Sequence, residues 1–315
     1  MHYQHLFGPV NSRRLGLSLG VDLVPYKYCP LNCVYCEVQR TTHLTLKRQE
    51  FFPLEEIASE LLDFLAEGPR LDYITFSGAG EPTLYSRIGE IVAFLKQDFP
   101  DCKLALLTNG VLLNDPSLRR EILPCDLILP SLDACTQDTY VRINRPHPDL
   151  LVSDLVEGLV TLRSEYRGVI WLELFIIAGV NDGEKELVCL TEAIQRIQPD
   201  KVQLNSLDRP GAEAWVRPAG TRALNRVRAR LQEALTMPVE IIAKAHTGFA
   251  ELPIPEEILD RLKATLLRRP CTAEDLAVSL GMHINEVSKY LRQLKAEHQV
   301  RVQREARGVF YTWNP

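Results

Sequence analysis

Nothing in these 315 residues approaches the run of about 18 apolar residues that a membrane helix requires. The opening Met1-His2-Tyr3-Gln4-His5 lacks the charged and apolar stretches of a secretory leader. The expectation is a cytoplasmic chain with no membrane partner. Positive charge is also short: the formal net charge of −5 speaks against general adhesion to nucleic acid, while leaving room for a local basic face. A second cysteine array is missing, because no cysteine precedes Cys29 and only Cys271 follows Cys189. The distant second pair that structural zinc sites use is therefore absent. What remains is ordinary for a globular chain, 46% hydrophobic and 24% charged, with length for one large domain and a small one.

Against that background one stretch stands out: Tyr28-Cys29-Pro30-Leu31-Asn32-Cys33-Val34-Tyr35-Cys36-Glu37. Three of the eight cysteines fall within eight residues, spaced C-x3-C-x2-C. Sulfur ligands this close surround one inorganic centre without long loop closure. Three thiolates on a four-iron cluster leave one iron open for chemistry. Zinc is the competing reading, with His43 as a fourth ligand. The other five (Cys102, Cys125, Cys135, Cys189, Cys271) are scattered beside apolar residues and read as reduced, buried thiols.

Around this loop the periodicity alternates between strand and helix. Residues 17–23 read as a strand that runs into the cysteines. Strands are predicted over 71–76, 103–107, 127–129, 169–177 and 201–204. Helices over 53–66, 88–95, 151–162 and 187–197 separate most of them, and Asp115-Pro116 supplies a cap and first-turn proline for one more. Six strands alternating with helices imply an α/β fold, a parallel sheet with helical crossovers. In such folds ligands sit at the carboxyl ends of the strands. Gly78-Ala79-Gly80-Glu81-Pro82-Thr83, Thr108-Asn109-Gly110 and Ser131-Leu132-Asp133 all fall there. The glycine-rich stretch is no phosphate loop, since no Lys-Ser/Thr pair follows it.

Beyond residue 207 the pattern is less regular. Arg217, Arg222, Arg226, Arg228 and Arg230 cluster within fourteen positions, the usual mark of a solvated helix face. From about residue 253 an amphipathic helix ends at Pro270, and Thr272 caps a second helix running to Leu280. Gly281 turns the chain into a third helix, and Val300–Val302 with Gly308–Trp313 reads as a two-stranded wing. The expected domains are a barrel over 1–215, an arginine-rich extension and linker over 216–252, and a winged helix-turn-helix over 253–315. From Leu280 to Pro315 six Lys/Arg stand against three Glu, a local charge of +3. That module fits either nucleic-acid binding or packing and dimerisation.

The cysteine spacing, with Tyr35 before its last member, and the glycine-rich turn one strand later resemble the radical S-adenosylmethionine (SAM) superfamily. The resemblance implies a partial (β/α)6 TIM-like barrel followed here by the small winged-helix domain. It also implies one [4Fe-4S] cluster on Cys29, Cys33 and Cys36, and SAM bound by Tyr35, Gly78, Ala79, Gly80, Glu81, Asn109, Ser131 and Asp133. One electron, from a donor such as flavodoxin or ferredoxin, would cleave SAM to a 5′-deoxyadenosyl radical that abstracts hydrogen from a substrate. Missing cysteine arrays argue for a single cluster. Phe7-Gly8-Pro9-Val10, Ser12-Arg13-Arg14-Leu15-Gly16, Arg142-x-Asn144-Arg145-Pro146, Gln203-Leu204-Asn205 and Arg209-Pro210 resemble a prokaryotic group within it, distantly related to wyosine-type tRNA-modifying enzymes. Arg13, Arg14, Tyr140, Arg145 and Arg209 are candidates to line the substrate pocket. The readings left open are tRNA or another nucleic acid as substrate, a small molecule or protein as substrate, and a redox- or SAM-sensing DNA-binding regulator.

Overall fold

Short, nearly uninterrupted apolar runs such as Tyr73-Ile74-Thr75-Phe76, Leu104–Thr108 and Leu127–Pro130 suit parallel strands covered on both faces. A computed structural model of the chain describes residues 3–12, 14–207, 211–242, 254–305 and 308–314. The chain divides into two compact units, one of Gly8–Ala243 and one of Met1–Phe7 with Lys244–Pro315.

Strand β1 (Leu6–Ser12), which enters the larger unit at Gly8, and β2 (Gly16–Val21) precede the cysteine loop, which holds the two-residue strands β3 (Tyr28–Cys29) and β4 (His43–Leu44). Helix α1 (Leu54–Ala66), β5 (Tyr73–Phe76), α2 (Ile88–Asp98), β6 (Leu104–Thr108), α3 (Pro116–Ile122) and β7 (Leu127–Pro130) follow. Two helices, α4 (Gln137–Asn144) and α5 (Val152–Glu165), lead to β8 (Val169–Phe175). Then come α6 (Glu184–Ile197), β9 (Lys201–Asn205), α7 (Thr221–Gln232) and β10 (Val239–Ile241).

The sheet runs β1-β2-β5-β6-β7-β8-β9-β10, and every ladder from β2 to β10 is parallel. Each strand is laid beside the last after a crossover, so the carboxyl ends share one edge. The helices bury one apolar stripe each, for example Ile57, Leu61 and Leu65 of α1 and Leu187, Leu190, Ile194 and Ile197 of α6. Asp115 caps α3 by accepting from the Ser117 amide at 2.8 Å, with Pro116 at the first helical position.

The partial-barrel architecture agrees with the sequence reading, with eight sheet strands rather than six. Strand β1 adds one edge and β10 the other. The segment assigned to an extension after residue 215 thus contributes α7 and a strand that pairs with β9. Its arginines are spent in part on α6 and the loop before it: Arg226 pairs with Asp182 at 2.5 Å and Arg230 with Glu184 at 2.7 Å. Helix α4, which no apolar periodicity announced, ends within the Arg142–Pro146 motif, with Arg145 as its left-handed cap.

Two scattered cysteines depart from expectation. Cys135 and Cys189 form a disulfide across 54 residues, their Cα atoms 5.7 Å apart, within the reach of that bond. Cys125 and Cys271 are buried free thiols, and Cys102 is half-buried. The reason is tertiary: the loop after β7 lies against α6, a proximity that spacing does not carry.

In the smaller unit α8 (Glu256–Arg268), α9 (Ala273–Leu280) and α10 (Ile284–Ala296) precede the antiparallel pair β11 (Val300–Glu305) and β12 (Gly308–Trp313). Thr272 and Asp275 form a reciprocal capping box on α9, and Gly281 ends it with φ +63°. Leu262, Leu266, Leu276, Val287, Leu291 and Leu294 are wholly or almost wholly buried in its core.

Candidate active site

The cysteine loop and the glycine-rich turn lock together through their backbones. Asp22, directly after β2, accepts from the Ala79 amide with both carboxylate oxygens at 3.1 Å. A Cβ on Gly78, at φ +149°, would lie 2.3 Å from that carboxylate, so the position admits glycine alone. The Lys27 amide donates to the Ala79 carbonyl at 2.9 Å, and the Glu81 amide to the Tyr28 carbonyl at 3.0 Å. A Cβ on Gly80 would come within 2.2 Å of that same Tyr28 oxygen. The far side of the loop is tied as closely. The Val34 amide donates to Ile143 at 2.9 Å, His147 donates to Pro30 at 2.8 Å, and Glu213 donates to Val34 at 3.0 Å.

Each of the three thiols faces one side-chain N–H donor from a different segment. Asn109 Nδ2 lies 3.5 Å from Cys29 Sγ, Asn144 Nδ2 lies 3.4 Å from Cys33 Sγ, and Lys27 Nζ lies 3.1 Å from Cys36 Sγ. Burial pushes Cys29 up to about 12, opposed by the Lys27 charge, and pushes Cys33 well above the ordinary thiol range. Lys27 is itself only 3% exposed. Burial alone would lower its pKa, but the neighbouring Cys36 and Cys29 raise it. Burial thus keeps Cys29 and Cys33 as thiols until a cationic centre draws off their protons.

Behind the thiols stands Asp133. Its Oδ2 accepts from the Tyr35 hydroxyl at 2.5 Å and Asn144 Nδ2 at 2.7 Å, while Oδ1 accepts from the Phe175 amide at 2.9 Å. Burial raises it to about 6 in spite of these donors. The Tyr35 ring stacks on Phe175 with centroids 3.8 Å apart. Glu81 is 3% exposed and accepts from the Thr83 amide and hydroxyl, the Thr108 hydroxyl at 2.6 Å and the Asn109 amide at 2.8 Å. Its carboxylate therefore stitches the ends of β5 and β6 together. Burial raises its pKa above the usual carboxylate value. Ser131 follows β7 and donates its amide to the Thr108 carbonyl at 3.1 Å.

All the residues assigned from sequence thus meet at the carboxyl edge of β2, β5, β6 and β7. His43 does otherwise: exposed, it stacks on Tyr28 at 4.1 Å and bonds the Thr42 hydroxyl. Of the substrate-pocket candidates, Tyr140 turns inward beside the thiols. Arg145, at φ +44°, pairs with Glu213 at 2.7 Å, an oxygen that Arg40 shares. Arg14 forms an ion pair with Glu173. Arg13 and Arg209 lie outside the described residues. Sequence reasoning missed Lys27 and Asp22, and met Asn144 only as part of a family motif. A lone lysine or carboxylate reads as solvated, and burial alone sets these apart.

Two observations bear on what the site accepts. The Tyr140 hydroxyl and Asn144 Oδ1 are buried with no hydrogen-bond partner, and both sit beside the cysteines. Among the described residues no three cysteine, histidine or carboxylate side chains converge on a single metal ion. Three thiols, each faced by its own N–H donor, fit the sulfur ligand set of an iron–sulfur cluster.

The chain is 31% identical over 302 residues to a protein of Brachyspira hyodysenteriae named GTPase Obg, matching 95% of this chain and 43% of that one. It thus spans less than half of that relative. It is 34% identical over 231 residues to a UPF0026 protein of Methanocaldococcus jannaschii, covering 73% of this chain and 71% of the relative. In fold it is similar to a radical SAM methyltransferase from Sphaerobacter thermophilus, with a TM-score of 0.56 at 19% identity, covering 71% of this chain and 65% of that one. No helix among the described residues is long and apolar enough to cross a membrane. The family model of the radical SAM superfamily matches residues 23–189, and the chain therefore belongs to that superfamily of enzymes, whose members bind a [4Fe-4S] cluster and S-adenosylmethionine.

Proposed function

We propose that Cys29, Cys33 and Cys36 hold the cluster, and that Gly78–Glu81, Asn109, Ser131, Asp133 and Tyr35 hold SAM, for hydrogen abstraction from a base of tRNA or another nucleic acid. When bound, the cluster and SAM supply a one-electron cleavage that yields a 5′-deoxyadenosyl radical; the electron comes from a carrier such as flavodoxin or ferredoxin. The chain's own residues do the rest. Asn109, Asn144 and Lys27 direct N–H groups at the three sulfurs. Gly78 and Gly80 let the backbone approach closely, and the Tyr35–Phe175 stack offers a flat surface beside Asp133.

The observation that carries the chemistry is the interlocking of the cysteine loop with the glycine turn at the strand ends. Nucleic acid as substrate is supported by the smaller unit, which we read as a winged helix. Helix α9, the left-handed Gly281, α10 and the β11–β12 hairpin follow in that order, and Lys289, Lys295, Arg301 and Arg304 are exposed.

Anaerobically reconstituted protein with reductant should release 5′-deoxyadenosine, and RNA should raise its yield. Filter binding of the full chain to RNA and DNA should weaken with salt, and a Lys289→Glu/Lys295→Glu variant should lose most of the retention. Salt-independent or absent retention would remove nucleic acid from the reading and leave the enzyme.

A further inference from the structure

Two motifs singled out in the sequence, Ser12–Gly16 and Gln203–Asn205, play no part in the site at the strand ends. The fold brings both to the inner wall of the sheet. Strands β8 and β9 pair with Glu173 opposite Gln203 and Phe175 opposite Asn205, so these four side chains share that face. On the opposite face Leu172, Leu174, Val202 and Leu204 are fully buried.

Leu15 closes the base of the inner wall against Ala105, Leu127 and Leu129. Ser12 fixes the turn by accepting from the Arg14 and Leu15 amides at 3.3 Å, and Arg14 reaches across to Glu173. Asn205 Nδ2 also donates to Glu173, at 3.3 Å. Both bonds fall on Oε2, and among the described residues Oε1 accepts none. Next to it, Gln203 is 4% exposed and its Oε1 is buried with no partner. Lys201, the nearest cation on β9, is committed elsewhere, over the Trp171 ring at 4.4 Å and to Glu240 at 3.1 Å. The wall continues directly into the site above, since Phe175 stacks on Tyr35 and donates to Asp133.

Two acceptors without donors among the described residues, one in each of two paired strands, form a built half of a recognition site. Burying Gln203 Oε1 unmet costs stability, and a ligand that supplies one N–H to it and another to the half-buried Glu173 Oε1 recovers it. Arg14 already neutralises Glu173, so a cationic ligand would enter against the arginine. A neutral edge does not. We propose that this wall reads the substrate base through a planar, uncharged edge with two neighbouring N–H donors, of the kind a guanine-type base presents, set against Glu173 Oε1 and Gln203 Oε1. This rests on the nucleic-acid reading above. It assigns Arg14 and Asn205 the role of positioning residues that hold the Glu173 carboxylate in place.

The test is equilibrium dialysis of the full, cluster-loaded chain with SAM against guanosine, inosine, adenosine and agmatine. Inosine lacks one of the two donors, adenosine presents an acceptor in place of one, and agmatine carries a cationic guanidinium. Guanosine should bind roughly tenfold or more tightly than inosine, with adenosine weaker still, because an unmet buried acceptor rejects the wrong partner. Glu173→Gln should weaken guanosine at least tenfold while leaving cluster iron and SAM binding unchanged. Gln203→Leu, which keeps the Arg14–Glu173 pair, should weaken it several-fold and serves where Glu173→Gln does not fold. Equal binding of the three nucleosides, preference for agmatine, or unchanged guanosine binding in Gln203→Leu would overturn the proposal. If RNA still raises 5′-deoxyadenosine yield while the nucleosides go undiscriminated, the pocket assignment fails and the nucleic-acid reading stands. If guanosine is selected but RNA is not retained, the reverse holds.

Discussion

The mouth of the barrel and the carboxyl-terminal unit are built on opposite plans. The mouth draws on segments from Asp22 to Glu213, nearly two hundred residues apart, and ties them by backbone bonds between loops. Its interior is polar: Lys27, Glu81, Asp133 and Asn144 are all buried there. The core of the smaller unit is local. About sixty residues close a core of leucines and valines around helices capped by their own neighbours. A site that must hold charge and exclude water needs donors brought from many strands, whereas a small apolar core needs only leucines spaced along neighbouring helices.

That contrast can be broken, beginning with the largest effect. Cys33→Ala should abolish cluster iron and all SAM cleavage, measured by iron content and 5′-deoxyadenosine; Cys189→Ala, away from the three thiols, should keep the iron. Full iron retention in Cys33→Ala would sink the assignment.

Next in size is Gly80→Ala. Its Cβ meets the Tyr28 carbonyl at 2.2 Å, so the loop must shift, and SAM affinity by calorimetry should fall by more than roughly tenfold. An unchanged affinity would mean that the glycine turn does not carry SAM.

In the other region, Leu276→Ala leaves a cavity in a wholly buried position and should cost about 3 kcal/mol there. SAM cleavage without a macromolecule should be unaffected. Loss of that cleavage would show that the two regions are energetically coupled.

The smallest effect is a pH dependence. Burial, with His5 and Lys289 nearby, lowers His283 to about 4, below the ordinary histidine value. Between those values the unfolded chain takes up a proton that the folded one refuses, so this stabilisation is complete above the ordinary value and lost as pH falls toward 4. Melts of the full chain should show that loss, by up to about 3 kcal/mol. His283→Asn, which preserves a capping side chain for the Asn285 amide, should flatten it.

Local signals carried far in this sequence. Asp115-Pro116, Thr272 with Asp275, and Gly281 each mark a helix end that the fold uses, because capping is decided within four residues. The strands were legible because a sheet covered on both faces demands apolar runs. Helix α4 was not, since its eight residues bury only Tyr140, Ile143 and Asn144. The edge strand Val239–Ile241 is too short to announce itself, and the Cys135–Cys189 bond joins residues that nothing in their neighbourhood pairs.

The sequence by itself determined the three thiols, the glycines that no other residue can replace, and the order of strands and helices. Spacing and periodicity are properties of a chain before it folds. Only the tertiary structure decided that Lys27, Asn109 and Asn144 each face one sulfur, that Glu81 binds strand ends together, and that Arg14, Glu173 and Gln203 share a wall. A side chain's charge and partners depend on burial, and burial is settled by residues far away in the chain.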